Sequence, residues 1–168
     1  MFQMRPTMKC NYCQGKCIKK GYKLENVCVN MNGYYLKKHT INNITHYKPV
    51  FFYEDGSVVF LSNFLDTNSI KEELMDFEDG TWNYWGFYEC KNDSIMMEVV
   101  YKDNFERKAK IIKLKGMVNG SKSSIFIIDN KENILNEYKF VSSSIKPDSS
   151  TNWVRNHRKY RIDDKKTR

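Results

Sequence analysis

The sequence predicts an all-β protein: an eight-stranded antiparallel up-and-down barrel with one inserted short helix and a C-terminal helix. Three observations carry this reading. Turn-forming pairs such as Asp55-Gly56, Asn92-Asp93 and Asn119-Gly120 recur between short apolar runs. The runs beside them sort into an apolar face and a polar face. The length, 168 residues, suits one full core and leaves too little chain for two.

Four turn signals set the strands. Glu54-Asp55-Gly56-Ser57, Lys91-Asn92-Asp93-Ser94 and Val118-Asn119-Gly120-Ser121 have the composition of two-residue hairpin loops, in which both central positions take positive φ. Asp129 to Asn133 is a longer polar loop. Strands are expected at 33–39, 48–54, 57–62, 84–91, 94–102, 109–118, 121–128 and 134–141. Short strands joined mainly by hairpins favour a barrel, which abolishes exposed edges; a flattened sandwich is the alternative.

Two-residue loops also predict registers. Around Asp55-Gly56, Tyr53 is expected opposite Val58 and Phe51 opposite Phe60. Around Asn92-Asp93, Cys90 faces Ile95, Tyr88 faces Met97, Gly86 faces Val99 and Tyr84 faces Tyr101, leaving Lys91, Glu89, Ser94 and Glu98 on the other side. Around Asn119-Gly120, Leu114 faces Ile125 and Ile112 faces Ile127, with Lys113, Lys115 and Lys122 opposite. A one-residue slip would scramble such a separation.

The inserted helix is expected over 70–78. Ser69-Ile70-Lys71-Glu72 has a capping-box pattern, and Ile70, Leu74 and Phe77 share one face. A second helix is expected after Pro147, with Trp153, His157 and Tyr160 on one side among basic residues. Residues 163–168 are expected to be a disordered basic tail.

Charge separates the ends from the middle. The chain carries a net +8; residues 1–38 contribute +7, residues 155–168 contribute +5, and the stretch between is at −4. A nucleic-acid-binding domain would carry its basic face on the folded body, so nucleic acid is not an expected partner. The expected organisation is a cysteine-containing basic segment over 1–31, the barrel domain over 32–162, and the tail. No apolar run reaches the roughly 18 residues of a membrane-spanning helix, although peripheral contact with an anionic membrane through the basic ends stays open. The first ten residues, with Arg5 and Lys9 and no apolar stretch, do not have the pattern of a signal peptide. A cytoplasmic location is therefore expected, with the cell envelope as the alternative if a leader is missing.

Four sites invite a functional reading. Cys10, Cys13, Cys17 and Cys28 could supply four thiolates to zinc, pair as disulfides, or stay free; their spacing matches no common zinc knuckle. Cys90, on an apolar face, is expected to be a small core residue. No catalytic constellation is visible. His39, His46 and His157 sit in no metal or nucleophile motif, Glu72, Glu73, Asp76, Glu78 and Asp79 read as a solvated helix and its end, and there is no glycine-rich phosphate loop. An enzyme is not expected, nor is a cofactor. The basic helix around Trp153 reads as an aromatic stripe packed on the barrel. The inward tyrosines are the most informative group. A filled core prefers Leu, Ile and Val, and buried phenols need hydrogen-bond partners that a wet or ligand-holding cavity would supply. The expected lining of such a cavity is Phe51, Tyr53, Phe60, Tyr84, Tyr88, Met97, Tyr101 and Leu114.

The opening Asn32-Gly33-Tyr34-Tyr35, the eight-strand meander and the helix after the last strand resemble the lipocalin-like, or calycin, barrels over about residues 32–160. Tyr35 stands where lipocalins usually place a tryptophan, so Gly33 and Tyr35 carry over as structural residues at the closed end. The segment from Tyr138-Lys-Phe-Val to Asn152-Trp153 is similar to bacterial lipocalin-like domains, many of them lipoproteins. The resemblance implies a barrel that holds a small apolar or amphipathic ligand. The alternative is a structural or interaction module with a solid core, acting through its surface and basic ends.

Overall fold

The computed structural model describes residues 8–9, 16–17, 24, 26–61, 64, 66–70, 72, 84–102, 109–129 and 134–145. Within these, only the backbone is described at 8–9, 16–17, 100–102, 109–111 and 129. Two short strands, β1 (Met8–Lys9) and β2 (Lys16–Cys17), pair with each other. Eight more form the body: β3 (Gly33–Ile41), β4 (Ile44–Phe52), β5 (Ser57–Phe60), β6 (Tyr84–Lys91), β7 (Ser94–Lys102), β8 (Ala109–Val118), β9 (Ser124–Asp129) and β10 (Ile134–Ser142). Each pairs antiparallel with the next. β10 returns to β3, Phe140 opposite Tyr35, so the sheet closes into a barrel and no edge is left open. That pairing decides for the barrel over the sandwich.

Turn chemistry explains the hairpins. Ile41-Asn42-Asn43-Ile44 joins β3 to β4, with φ of 50° and 63° at the two asparagines, the mirror-image turn that matches strand twist. The expected strands 33–39 and 48–54 stop short of this hairpin. Between β6 and β7, Asn92 takes φ 54° and the register is the expected one: Cys90 opposite Ile95, Tyr88 opposite Met97, Gly86 opposite Val99. Across the β7–β8 ladder on the outside, Glu98 meets Lys113 at 3.3 Å.

Two registers differ from expectation. Between β4 and β5 the loop is longer than two residues, because Tyr53 N–H donates to the Ser57 carbonyl and Gly56 N–H to the Tyr53 carbonyl. Phe52 therefore stands opposite Val58, and Phe51 opposite Val59. This is a slip by one residue, which exchanges the faces of β4. Between β8 and β9, Asn119 organises a wider loop: its side chain accepts from Ser124 N–H, and its carbonyl accepts from Lys122 N–H. Val118 then faces Ile125 and Gly116 faces Ile127. The offset is an even number of residues, so Leu114, Ile125 and Ile127 keep the expected face.

The apolar residues divide into two clusters. The inner cluster fills the barrel with Tyr35, Val50, Phe52, Val58, Tyr88, Ile95, Met97, Val99, Val118, Ile125, Ile127 and Tyr138. The outer cluster lies on the convex side of β3 to β6, where Tyr34, Leu36, Phe51, Val59 and Trp85 pack with Leu61 and Ile70. Ile70, with Ser69 and Glu72, has helical backbone at the start of the expected inserted helix. Its start differs from the expected box. Asp66 accepts from Asn68 N–H, and Ser69 is already helical. The remainder of 70–78, the C-terminal helix and the tail lie outside the described residues. No helix among the described residues is long and apolar enough to cross a membrane.

Candidate functional site

One end of the barrel is closed. Residues 26–32 run across it, with Leu24 N–H donating to the Glu54 carbonyl and Lys122 Nζ to the Val27 carbonyl, while Val29 is buried beneath. Cys28 is disulfide-bonded to Cys90 on the inner face of β6. This corrects two expectations. Cys90 is no mere core filler, and the set Cys10, Cys13, Cys17 and Cys28 cannot offer four thiolates, because the Cys28 sulfur is already bonded. Cys10 and Cys13, and the side chain of Cys17, lie outside the described residues. Among the described residues no group of three metal-ligating side chains occurs.

The interior next to this end is buried. Tyr35, Phe52, Tyr88, Ile95 and Met97 are at most 2% exposed. Phe52 contacts Tyr35 and Tyr88 edge to face, with ring centroids 5.7 and 4.9 Å apart. The phenols find backbone partners. Tyr88 Oη donates to the Tyr53 carbonyl at 3.0 Å; Tyr35 Oη donates to the Lys122 carbonyl and accepts from Asn30 N–H, both at 2.9 Å. Burial holds the Tyr88 phenol far above its ordinary value, helped by the negative charges of Asp55 and Glu54. Burial also raises Tyr35, against which the Asn30 N–H works. These two inward phenols therefore need no cavity: backbone groups of the closed end satisfy them.

Exposure rises toward the other end of the same face. Phe60, Tyr84 and Leu114 are half-buried and pack on the inner cluster, with Phe60 opposite Tyr84 and Leu114 opposite Met97. Ile112, opposite Val99, is half-buried as well. Above Tyr35 and Val50 the inner face turns basic. Lys37 stands opposite Lys48 and His39 opposite His46, all four half-buried, while the intervening Lys38 and Thr40 are exposed. Lys37 Nζ donates to Asn136 Oδ1 on β10. The two imidazoles stack with centroids 5.2 Å apart, and their Nδ1 atoms are shielded without a hydrogen-bond partner. His39 is held below the usual histidine value by burial first, then by Lys48, Lys37 and His46.

The expected lining is thus divided. Phe60, Tyr84, Tyr88, Met97 and Leu114 share the inner face. Phe51 and Tyr53 do not: the one-residue slip puts them in the outer cluster, where Phe51 packs on Tyr34 at 5.2 Å. The backbone of Tyr101 pairs with Lys110, and its side chain lies outside the described residues. Lys37, Lys48 and Asn136 were not singled out from the sequence. Recognising Asn42-Asn43 as a turn would have found the lysine and histidine pairs, since the register follows from it.

In comparisons with known proteins, the chain matches no family model, no curated protein and no solved structure.

Proposed function

We propose that the chain is a lipocalin-like binding barrel that holds a small apolar or amphipathic molecule in the upper half of its interior. The observation that carries this reading is the gradient along one continuous face. At the strapped end the inner wall carries Tyr35, Phe52, Tyr88, Ile95 and Met97, all buried. At the other end Phe60, Tyr84, Ile112 and Leu114 are half-buried, and these side chains would form the walls of an apolar cup. Apolar walls with a few convergent polar groups are the usual composition of a small-molecule site, and an eight-stranded barrel has room for one such ligand. Burying ligand surface on these side chains would supply the affinity at about 25 cal/mol per Å². The role is binding, not catalysis.

The packed lower half favours a second reading, a solid-core module acting through its surface. The two readings separate on a neutral apolar fluorophore such as N-phenyl-1-naphthylamine. The cup should bind it at one site per chain, and Tyr84→Ala with Leu114→Ala should abolish binding in a barrel that still folds. Absence of saturable binding by the wild-type chain would overturn the cup reading in favour of the solid-core module. The Cys28–Cys90 bond supports an oxidising compartment, which weighs toward the cell envelope and against the cytoplasm.

A further inference from the structure

We infer that the molecule held in the cup has an anionic end, a carboxylate or phosphate, which docks against the inward basic side chains of the β3–β4 hairpin. This inference rests on the reading of the cup as a ligand site and names the ligand's class.

The hairpin places four basic residues in two facing pairs on the inner wall, Lys37 with Lys48 and His39 with His46. Cross-strand neighbours have Cβ atoms about 4.5–5.5 Å apart, and like charges at that distance oppose folding. Alternation offers an easy remedy that the sequence does not use, since a one-residue change of pattern would turn these charges to solvent. Lys38 and Thr40 occupy the outward positions instead. The described charged side chains of the inner face are all basic. A basic pair at the rim of an apolar cup fits an amphiphile lying tail inward, with its acidic oxygens between two ammonium groups. The shielded, unpartnered Nδ1 atoms of His39 and His46 add two sites that can donate to such oxygens once protonated. The depressed proton affinity of His39 reports the same field from the other side, because the cluster already disfavours one more positive charge. That field also argues against a metal cation on the two imidazoles.

The test compares tails of one length with different ends on the full chain: dodecanoic acid, dodecyl phosphate and 1-dodecanol, each displacing the neutral fluorophore. The acid or the phosphate should bind about tenfold or more tightly than the alcohol, as expected for charge-assisted hydrogen bonds, and whichever is tighter identifies the preferred oxyanion. In Lys37→Met with Lys48→Met the preference should fall to about twofold while alcohol binding stays unchanged. Lys37→Arg with Lys48→Arg, which keeps the charge, should retain it. Equal affinity for all three, or a preference that survives the methionine variant, would overturn the inference and leave the cup standing. Failure of every compound and of the fluorophore would overturn both. Should the methionine variant fail to fold, the comparison of the three ligands on the wild-type and arginine chains still decides.

Discussion

Cys28 and Cys90 are bonded across the lower end of the barrel, fixing the segment that covers this end to the inner face of β6, 62 residues further along the chain. Val29 beside the bridge is buried, and Asn30 N–H beyond it donates to the Tyr35 phenol. The bond thus holds a cover in place and, through Tyr35, supports the packed core.

The first prediction concerns this cover. Closing a loop of that length restricts the unfolded chain, so Cys28→Ser with Cys90→Ser should lower stability by about 2–4 kcal/mol. Urea unfolding followed by circular dichroism should show a lower midpoint with the β signal retained in the absence of denaturant. Because the proposed cup lies at the far end, fluorophore affinity should change little. An unchanged midpoint would mean that packing of Val29 and the hydrogen bonds hold the cover alone.

Tyr88 gives a second prediction. Its phenol is buried and donates to the Tyr53 carbonyl, which also accepts from Gly56 N–H. Tyr88→Phe leaves that carbonyl one partner, so the cost should be about 1 kcal/mol, with ligand binding intact. The pH dependence has a definite sign. The folded phenol titrates above its unfolded value of 10.0, chiefly because it is buried. Its contribution is therefore complete below pH 10 and is lost as pH rises above that, since the unfolded chain gives up the proton first. Tyr88→Phe should flatten the alkaline fall in stability. An equally steep fall in the variant would show that other groups cause it.

Gly86 supplies a third. It sits inside β6 on the inner face, opposite Val99. A Cβ there would come within 1.9 Å of the Glu98 carbonyl oxygen and 2.7 Å of the Val99 Cα. Both obstacles are backbone, so no rotamer change relieves them, and the β6–β7 ladder would have to part. Gly86→Ala should cost roughly 3 kcal/mol or more, the upper range for overpacking. By contrast, Gly120 lies in the β8–β9 loop with nothing within 4 Å of its Cβ position, and Gly120→Ala should be close to neutral. Thermal unfolding of the two variants side by side checks the difference.

What the sequence made legible follows from the period of two in a strand. Four of the eight barrel strands, β6, β7, β8 and β10, match their expected bounds within one residue, and the hairpin between β6 and β7 turns at Asn92, which takes the positive φ such a turn requires. A loop that gains an even number of residues preserves the faces, which is why Leu114 and Ile125 point inward although their pairing differs. A loop that shifts the register by one reverses them, and this sent Phe51 and Tyr53 to the outer cluster. Both faces of β4 and β5 are apolar here, so hydrophobic pattern could not report the slip: Phe51 and Phe52 are equally good core residues. The outer cluster is where Trp85 of β6 and Ile70 of the inserted segment meet Phe51 and Val59 on the convex side. The disulfide escaped notice because it joins a segment before the first barrel strand to the fourth strand of the meander, and sequence spacing carries no trace of such closure.

The last prediction follows the proton on His39. Lys37, which is bonded to Asn136 of β10, flanks it on β3, and Lys48 and His46 face it from β4. Burial and these three groups hold its affinity for protons down. Below the ordinary value of about 6.5 the unfolded chain takes up this proton before the folded one does. The group thus lowers stability as pH falls from that point, by a small amount because the ring is only half-buried. In proton NMR the His39 ring signals should titrate below 6.5 in the wild-type chain. Lys48→Met should move the midpoint upward by removing one neighbouring charge. Dodecanoic acid, seated with its carboxylate at the rim, should move it upward too, since a negative charge favours the imidazolium. A midpoint indifferent to both would show that burial alone sets it and that no anion comes near, whereas a rise with the acid and none with 1-dodecanol would place the carboxylate beside the histidine pair.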